Sequence, residues 1–149
     1  MFDKNTVIPI GADHAGFDMK KYLIKELSVD GYQFLDVGTF TSESVDYPDF
    51  VHPVSSMINE GKNPFGIIIC GSGQGAVMTA NKYPKIRAGL CWNVEQAKLV
   101  RQHNDANIIG LPGRFVDFSV AVEMVKVFLN TDFDGGRHVR RIKKIPISD

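Results

Sequence analysis

Phe65-Gly66-Ile67-Ile68-Ile69-Cys70-Gly71-Ser72-Gly73-Gln74-Gly75 runs from an unbroken apolar stretch into a turn in which three of five residues are glycine. Apolar residues without polar alternation read as a strand buried on both faces, the pattern of a parallel sheet covered by helices. The glycines let the backbone take positive φ and bring bare N–H groups close to a ligand. A helix over Ala76 to Lys82 would add its N-terminal dipole, suiting a phosphate, a developing oxyanion or a thiolate on Cys70. Glycine turns also serve merely to pack a helix on a sheet, and buried cysteines are commonly inert. The segment lacks the Gly-Lys-Ser/Thr of a nucleoside triphosphate loop, and Gly71-x-Gly73-x-Gly75 is not the Gly-x-Gly-x-x-Gly dinucleotide fingerprint.

Outward from this stretch, β-rich apolar runs alternate with helical periodicity. Val7 to Ile10 is a first strand, and Met19, Tyr22, Leu23 and Leu27 share one face of a helix that stops near Gly31. A second strand spans Gln33 to Val37, Gly38 to Val45 is a polar loop, and Asp46-Tyr47-Pro48 opens a helix to about Gly61. Beyond the Cys70 turn, a fourth strand covers Ile86 to Cys91. Asn93 then caps a helix with Gln96 as its reciprocal partner. A fifth strand covers Asn107 to Leu111, Val116, Val120, Met124 and Val127 line a long helix, and Arg137 to Lys144 forms a short basic one. The pattern predicts an α/β fold: a single-domain, Rossmann-like three-layer sandwich over residues 1–149, with a five-stranded parallel sheet and helices on both faces.

Composition limits the function classes. The 149 residues are 44% hydrophobic, enough for a full core, and 17 basic side chains cancel 17 acidic ones. A neutral chain offers no global field for nucleic acid or an anionic membrane, so any anion site must be local. No apolar run approaches bilayer length, and the expectation is a soluble, cytoplasmic protein whose two cysteines, Cys70 and Cys91, are free thiols.

Ligands of such sheets gather at the carboxyl ends of the strands. There the sequence delivers Asp13 and His14 after strand one, Tyr47 after strand two, and the Cys70 turn after strand three. Arg137 and Arg141 are four apart on the basic helix and share a face, so their guanidinium groups could close on one phosphate or simply be solvated. No His-x-x-x-His or Cys-x-x-Cys spacing supports a metal, and the expectation is a site without metal or cofactor.

Six segments in order resemble the ribose-5-phosphate isomerase B family, which includes relatives acting on galactose 6-phosphate and allose 6-phosphate. They are Gly11-Ala12-Asp13-His14-Ala15-Gly16, Ser44-Val45-Asp46-Tyr47-Pro48, Ile69 to Gly75, Ala80-Asn81-Lys82, Arg101-Gln102-His103-Asn104-Asp105 and Gly135-Gly136-Arg137-His138. The resemblance implies a metal-free aldose–ketose isomerase that interconverts ribose 5-phosphate and ribulose 5-phosphate through a cis-enediolate. It assigns Cys70 as the base, Ser72 as a proton shuttle, and the N–H groups of Gly71, Gly73, Gln74 and Gly75 as holders of the enediolate oxygen. His103 with Asp13 would open the furanose ring. His14, Arg137 and Arg141, helped by Arg114, would take the phosphate, and Tyr47 and Asn104 the sugar hydroxyls. It also implies a homodimer, or a dimer of dimers, with active sites shared between subunits.

The chain departs from the family at three points. Ser72 stands where many members have threonine. Ala76 stands where another branch, lacking the cysteine, places a glutamate. Trp92 follows the fourth strand where smaller or more polar residues are common. Trp92 leaves a six-carbon sugar phosphate as the alternative substrate, and a binding module that keeps the phosphate site without chemistry is the alternative from another class.

Overall fold

The Ile67-Ile68-Ile69 run sits at the centre of the sheet, and every residue of its strand, Gly66–Cys70, is buried in the computed structural model, which describes residues 1–148. Burying each of these side chains contributes about 1.5–3 kcal/mol, and no polar position interrupts the run. Five parallel strands form the sheet: β1 (Val7–Ala12), β2 (Gln33–Asp36), β3 (Gly66–Cys70), β4 (Ala88–Leu90) and β5 (Ile108–Pro112), in the order β2-β1-β3-β5-β4. In register, Ile69 lies between Ala12 of β1 and Leu111 of β5.

Among the described residues there are six helices: α1 (Phe17–Val29), α2 (Tyr47–Asn59), α3 (Gln74–Ala80), α4 (Val94–Asn104), α5 (Phe118–Asn130) and α6 (Arg137–Ile142). The strand pleat sends Ile67 and Ile69 into one apolar cluster with Met19, Leu23, Met124 and Phe128, under α1, α4 and α5. Ile68 and Cys70 point the other way, to Val51, Val54, Ala76 and Ala80 of α2 and α3. The three-layer parallel architecture is therefore the one expected. Among the described residues no helix is long and apolar enough to cross a membrane.

Several boundaries differ from expectation for local reasons. β4 is only three residues long, because Ile86 and Arg87 are spent in a turn and a side-chain anchor before pairing with β5 begins. α3 starts at Gln74, two residues early, since Gly73 at φ 75° already turns the chain. Val116 precedes α5, and the basic helix closes at Ile142. Asn93 caps α4 as expected, its Oδ1 accepting the Gln96 N–H at 2.8 Å, but Gln96 Oε1 accepts from Trp92 N–H at 2.6 Å and so completes the pair one residue upstream.

Strand order decides where a ligand can bind. β1 leads outward to β2, and the chain then returns past β1 to β3, so β1 and β3 diverge to opposite sides and leave a crevice at their carboxyl ends. The Asp13 loop and the Cys70 turn are the two lips of that crevice.

Candidate active site

Asp13 is 6% exposed, and its Oδ1 accepts the N–H groups of Ala15 at 3.0 Å and Gly16 at 3.1 Å. This satisfies orphan donors at the start of α1 and locks the loop after β1. Gly16 is required there, because a Cβ would lie 2.6 Å from Ile69 Cγ2. His14 follows, and its Nδ1 accepts the Val45 N–H at 3.1 Å. The same Nδ1 also lies 3.2 Å from the Val45 carbonyl, so whichever tautomer the ring takes, Val45 holds it against the loop that leads to α2.

Opposite, the chain leaves β3 at Cys70, which is 4% exposed and belongs to the α2/α3 apolar cluster. Its thiol therefore forms a nearly dry floor, with half-buried Gly71 and Ser72 next along the turn. Ser72 Oγ accepts the Gln74 N–H at 3.3 Å. α3 is only seven residues long, so the favourable field comes from individual first-turn N–H groups and not from a long helix dipole.

Two further elements close on the turn. The Tyr47 ring lies over Gly75, where a Cβ would meet its Cζ at 2.4 Å and its hydroxyl at 2.7 Å. The loop after β5 pairs with the turn through Gly113 N–H to Cys70 O at 2.9 Å and Arg114 N–H to Gly71 O at 3.1 Å. The Arg114 side chain consequently runs beside Gly71, its Nη1 3.3 Å from where a Cβ would stand. Asp13, His14, Tyr47, Cys70, Gly71, Ser72, Gly73, Gln74, Gly75 and Arg114 are thus all placed at one edge of the sheet.

His103, Asn104, Arg137 and Arg141 are not. α4 leaves the carboxyl edge after β4 and runs back, so its last residues reach the amino edge, where the Asn104 carbonyl accepts from Arg87 Nε at 2.9 Å just ahead of β4. α6 packs there too: the His103 and His138 rings stack with centroids 4.5 Å apart and planes 16° from parallel. A strand rises about 3.3 Å per residue, so the two groups lie on the order of 15 Å apart or more within one chain. Asp13 and His103, paired for ring opening on the resemblance, do not meet inside a single subunit.

The amino-edge cluster has its own electrostatics. Burial, followed by the neighbouring His103, Arg137 and Arg141, holds the His138 pKa below 6.5, against an opposing pull from Asp134. The ligand atoms of His103, Asp134 and His138 lie within 4.8 Å of one another. Nearly parallel rings give the two imidazoles no common in-plane point for a cation, whereas two exposed guanidinium groups beside them suit an anion. Cys91 is free and buried, and desolvation pushes its thiol up to about 12, so it is no thiolate at neutral pH.

Lys20 and Arg87 were not singled out in the sequence, and Arg101 and Asp105 stood in a quoted motif without a role, yet each anchors a segment that carries site residues. Lys20 is fully buried, with Nζ donating to Asp36 Oδ1 at 2.5 Å and to Thr39 O at 2.6 Å, which pins the loop leading to Val45 and Tyr47. Its position next to Met19 on the inward side of α1 was the available signal.

A thiol and a hydroxyl among converging N–H groups, with imidazole and guanidinium groups at hand, make up an enzyme site for moving a proton in an anionic substrate. The chain belongs to the Ribose/Galactose Isomerase family, whose profile matches residues 8–145. It is 38% identical over 138 residues to ribose-5-phosphate isomerase B of Escherichia coli, covering 93% of each chain. A Thermotoga maritima ribose 5-phosphate isomerase structure superposes with a TM-score of 0.92 at 45% identity, covering 95% of this chain and 97% of that one. The ribose-5-phosphate isomerase B of Mycoplasma genitalium, solved with bound ribulose 5-phosphate, gives 0.89 at 38% identity over 93% of each chain.

Proposed function

We propose that this chain is a cytoplasmic aldose–ketose isomerase interconverting ribose 5-phosphate and ribulose 5-phosphate without a metal, as a single isomerase domain. The carrying observation is the Cys70–Gly75 turn at the β1/β3 crevice, with Asp13, His14, Tyr47 and Arg114 gathered around it. The Cys70 thiolate takes the proton from C2 of the open-chain aldose, and the electron pair forms C1=C2 while charge moves to O1. The turn N–H groups hold that charge in a dry pocket, which is commonly the largest contribution to lowering such a barrier. Ser72 carries the O2 proton to O1, and Cys70 returns its proton to C1, leaving the carbonyl at C2. The phosphate supplies binding energy that positions C1 and C2.

The working unit is a homodimer in which the partner subunit's His103, Asn104, Arg137 and Arg141 complete each crevice. The split between the two sheet edges supports this, since one chain alone leaves the guanidinium pair far from the thiol. The partner subunit's His103 would then meet Asp13 for ring opening, and its arginines would join His14 and Arg114 on the phosphate.

The test is incubation of purified protein with ribose 5-phosphate, allose 6-phosphate and galactose 6-phosphate in the presence of a chelator, repeated with Cys70→Ala. Pentose isomerisation by the native chain, lost in the variant, is expected. Retained binding with no isomerisation of any sugar phosphate would leave a binding module instead. Preference for a six-carbon substrate would move the assignment to the other branch of the family.

A further inference from the structure

Asp105 is the one non-glycine residue with positive φ among the described residues, at φ 45° and ψ 46°, immediately after His103 and Asn104. Glycine takes this conformation without strain and is the usual choice where a helix ends this way. Aspartate here has a use for its side chain that glycine could not supply. Its Oδ1 accepts from Arg101 Nη1 at 2.8 Å and its Oδ2 from Arg87 Nη2 at 3.1 Å.

Both arginines are themselves anchored. Arg87, just before β4, also donates to the Asn104 and Asp105 carbonyls, capping the end of α4. Arg101 is buried, lies 4.9 Å from the Phe65 ring centroid, and donates to Ala106 O at 2.6 Å and Thr131 O at 3.2 Å. One carboxylate therefore joins the start of β4, the last turn of α4 and the segment that leads to α6. His103 and Asn104 project from the turn that this knot holds.

We propose that Asp105 is a positioning residue that fixes His103 for delivery to the sugar, acting through Arg87 and Arg101. This rests on the ring-opening role given to His103 above. Ribose 5-phosphate must be opened before it reacts, whereas ribulose 5-phosphate, with its C5 oxygen esterified, cannot close a ring onto C2 and arrives open. A displaced His103 therefore slows the aldose direction and spares the ketose direction.

The experiment measures initial rates in both directions for the wild-type dimer, Asp105→Gly, Arg87→Met and His103→Gln. Asp105→Gly keeps the left-handed turn and removes only the carboxylate, and Arg87→Met serves if that variant fails to fold. Expected is an aldose-direction kcat lowered about tenfold, within the roughly 10²-fold cost of misplacing a catalytic group by an ångström, with the ketose direction unchanged. Wild-type rates in both directions, or equal losses in both, would overturn the proposal while an asymmetric His103→Gln leaves the ring-opening reading intact. A symmetric His103→Gln would overturn that reading and the positioning role together.

Discussion

Gly73 and His138 each carry a measurable consequence. Gly73 sits at φ 75°, and a Cβ there would stand 2.5 Å from Leu90 Cδ1 and 3.1 Å from the Leu111 carbonyl carbon. Gly73→Ala is expected to cost about 1–3 kcal/mol from the left-handed backbone, with kcat reduced because the turn N–H groups lose their aim. Urea unfolding and kinetics on the same variant check both. His138 has its folded pKa depressed below 6.5, so the unfolded chain binds the proton more readily. Its contribution to stability is present above pH 6.5 and is lost as pH falls through the lowered folded value. His138→Gln should flatten that acid-side decline, read as the urea midpoint at a series of pH values. An unchanged slope would reassign the decline to other groups. The sequence motif names both residues, but only the folded chain shows the burial of His138 and then its neighbours His103, Arg137 and Arg141, which together set the direction of its shift.

The helices and strands were legible where their environment is uniform. β3 reads as a strand because both faces are buried, and α1 reads as a helix because Met19, Leu23 and Leu27 share one apolar face. Lys20 was not legible in that pattern, since a lysine beside an apolar face is ordinarily solvated. Here its ammonium is fully buried while Asp36 is 31% exposed, and Asp36 Oδ1 also accepts the Gly38 N–H at 2.9 Å. The asymmetry predicts unequal losses. Asp36→Ala strands a buried cation and is expected to cost about 3–5 kcal/mol. Lys20→Met leaves a carboxylate that water can reach and a carbonyl short of one donor, about 1–3 kcal/mol. Denaturant unfolding of both variants decides, and a larger loss for Lys20→Met would show that the lysine chain packs more than it pairs.

Across the assembled subunit, the placement of site residues at both sheet edges predicts complementation. In a closed twofold dimer of Cys70→Ala and Arg137→Ala chains, one crevice receives both lesions and the other receives none. Random exchange makes about half the dimers mixed, so roughly a quarter of wild-type specific activity should return. Confirmed subunit exchange with no regained activity would mean that each chain supplies its own arginines. Arg137→Ala alone should lower kcat as well as raise KM, because the phosphate positions the reacting carbons. A change in KM only would contradict that use of binding energy.

From residue types and their spacing it was possible to read the alternation of strands and helices, the glycine turn after Cys70, the helix start at Asp46-Tyr47-Pro48, where Asp46 makes no side-chain cap, the cap at Asn93, and the family likeness. All of these are local, set by φ preference, side-chain period and short-range hydrogen bonds. The folded chain alone showed the order β2-β1-β3-β5-β4, the burial of Lys20 against Asp36, and the Asp105 knot between Arg87 and Arg101. It also separated His103 from Asp13. A crossover helix returns its last turn to the amino edge of the sheet, so neighbours in a motif list become opposite ends of a molecule. Such contacts join residues far apart in sequence through packing, which no single segment encodes.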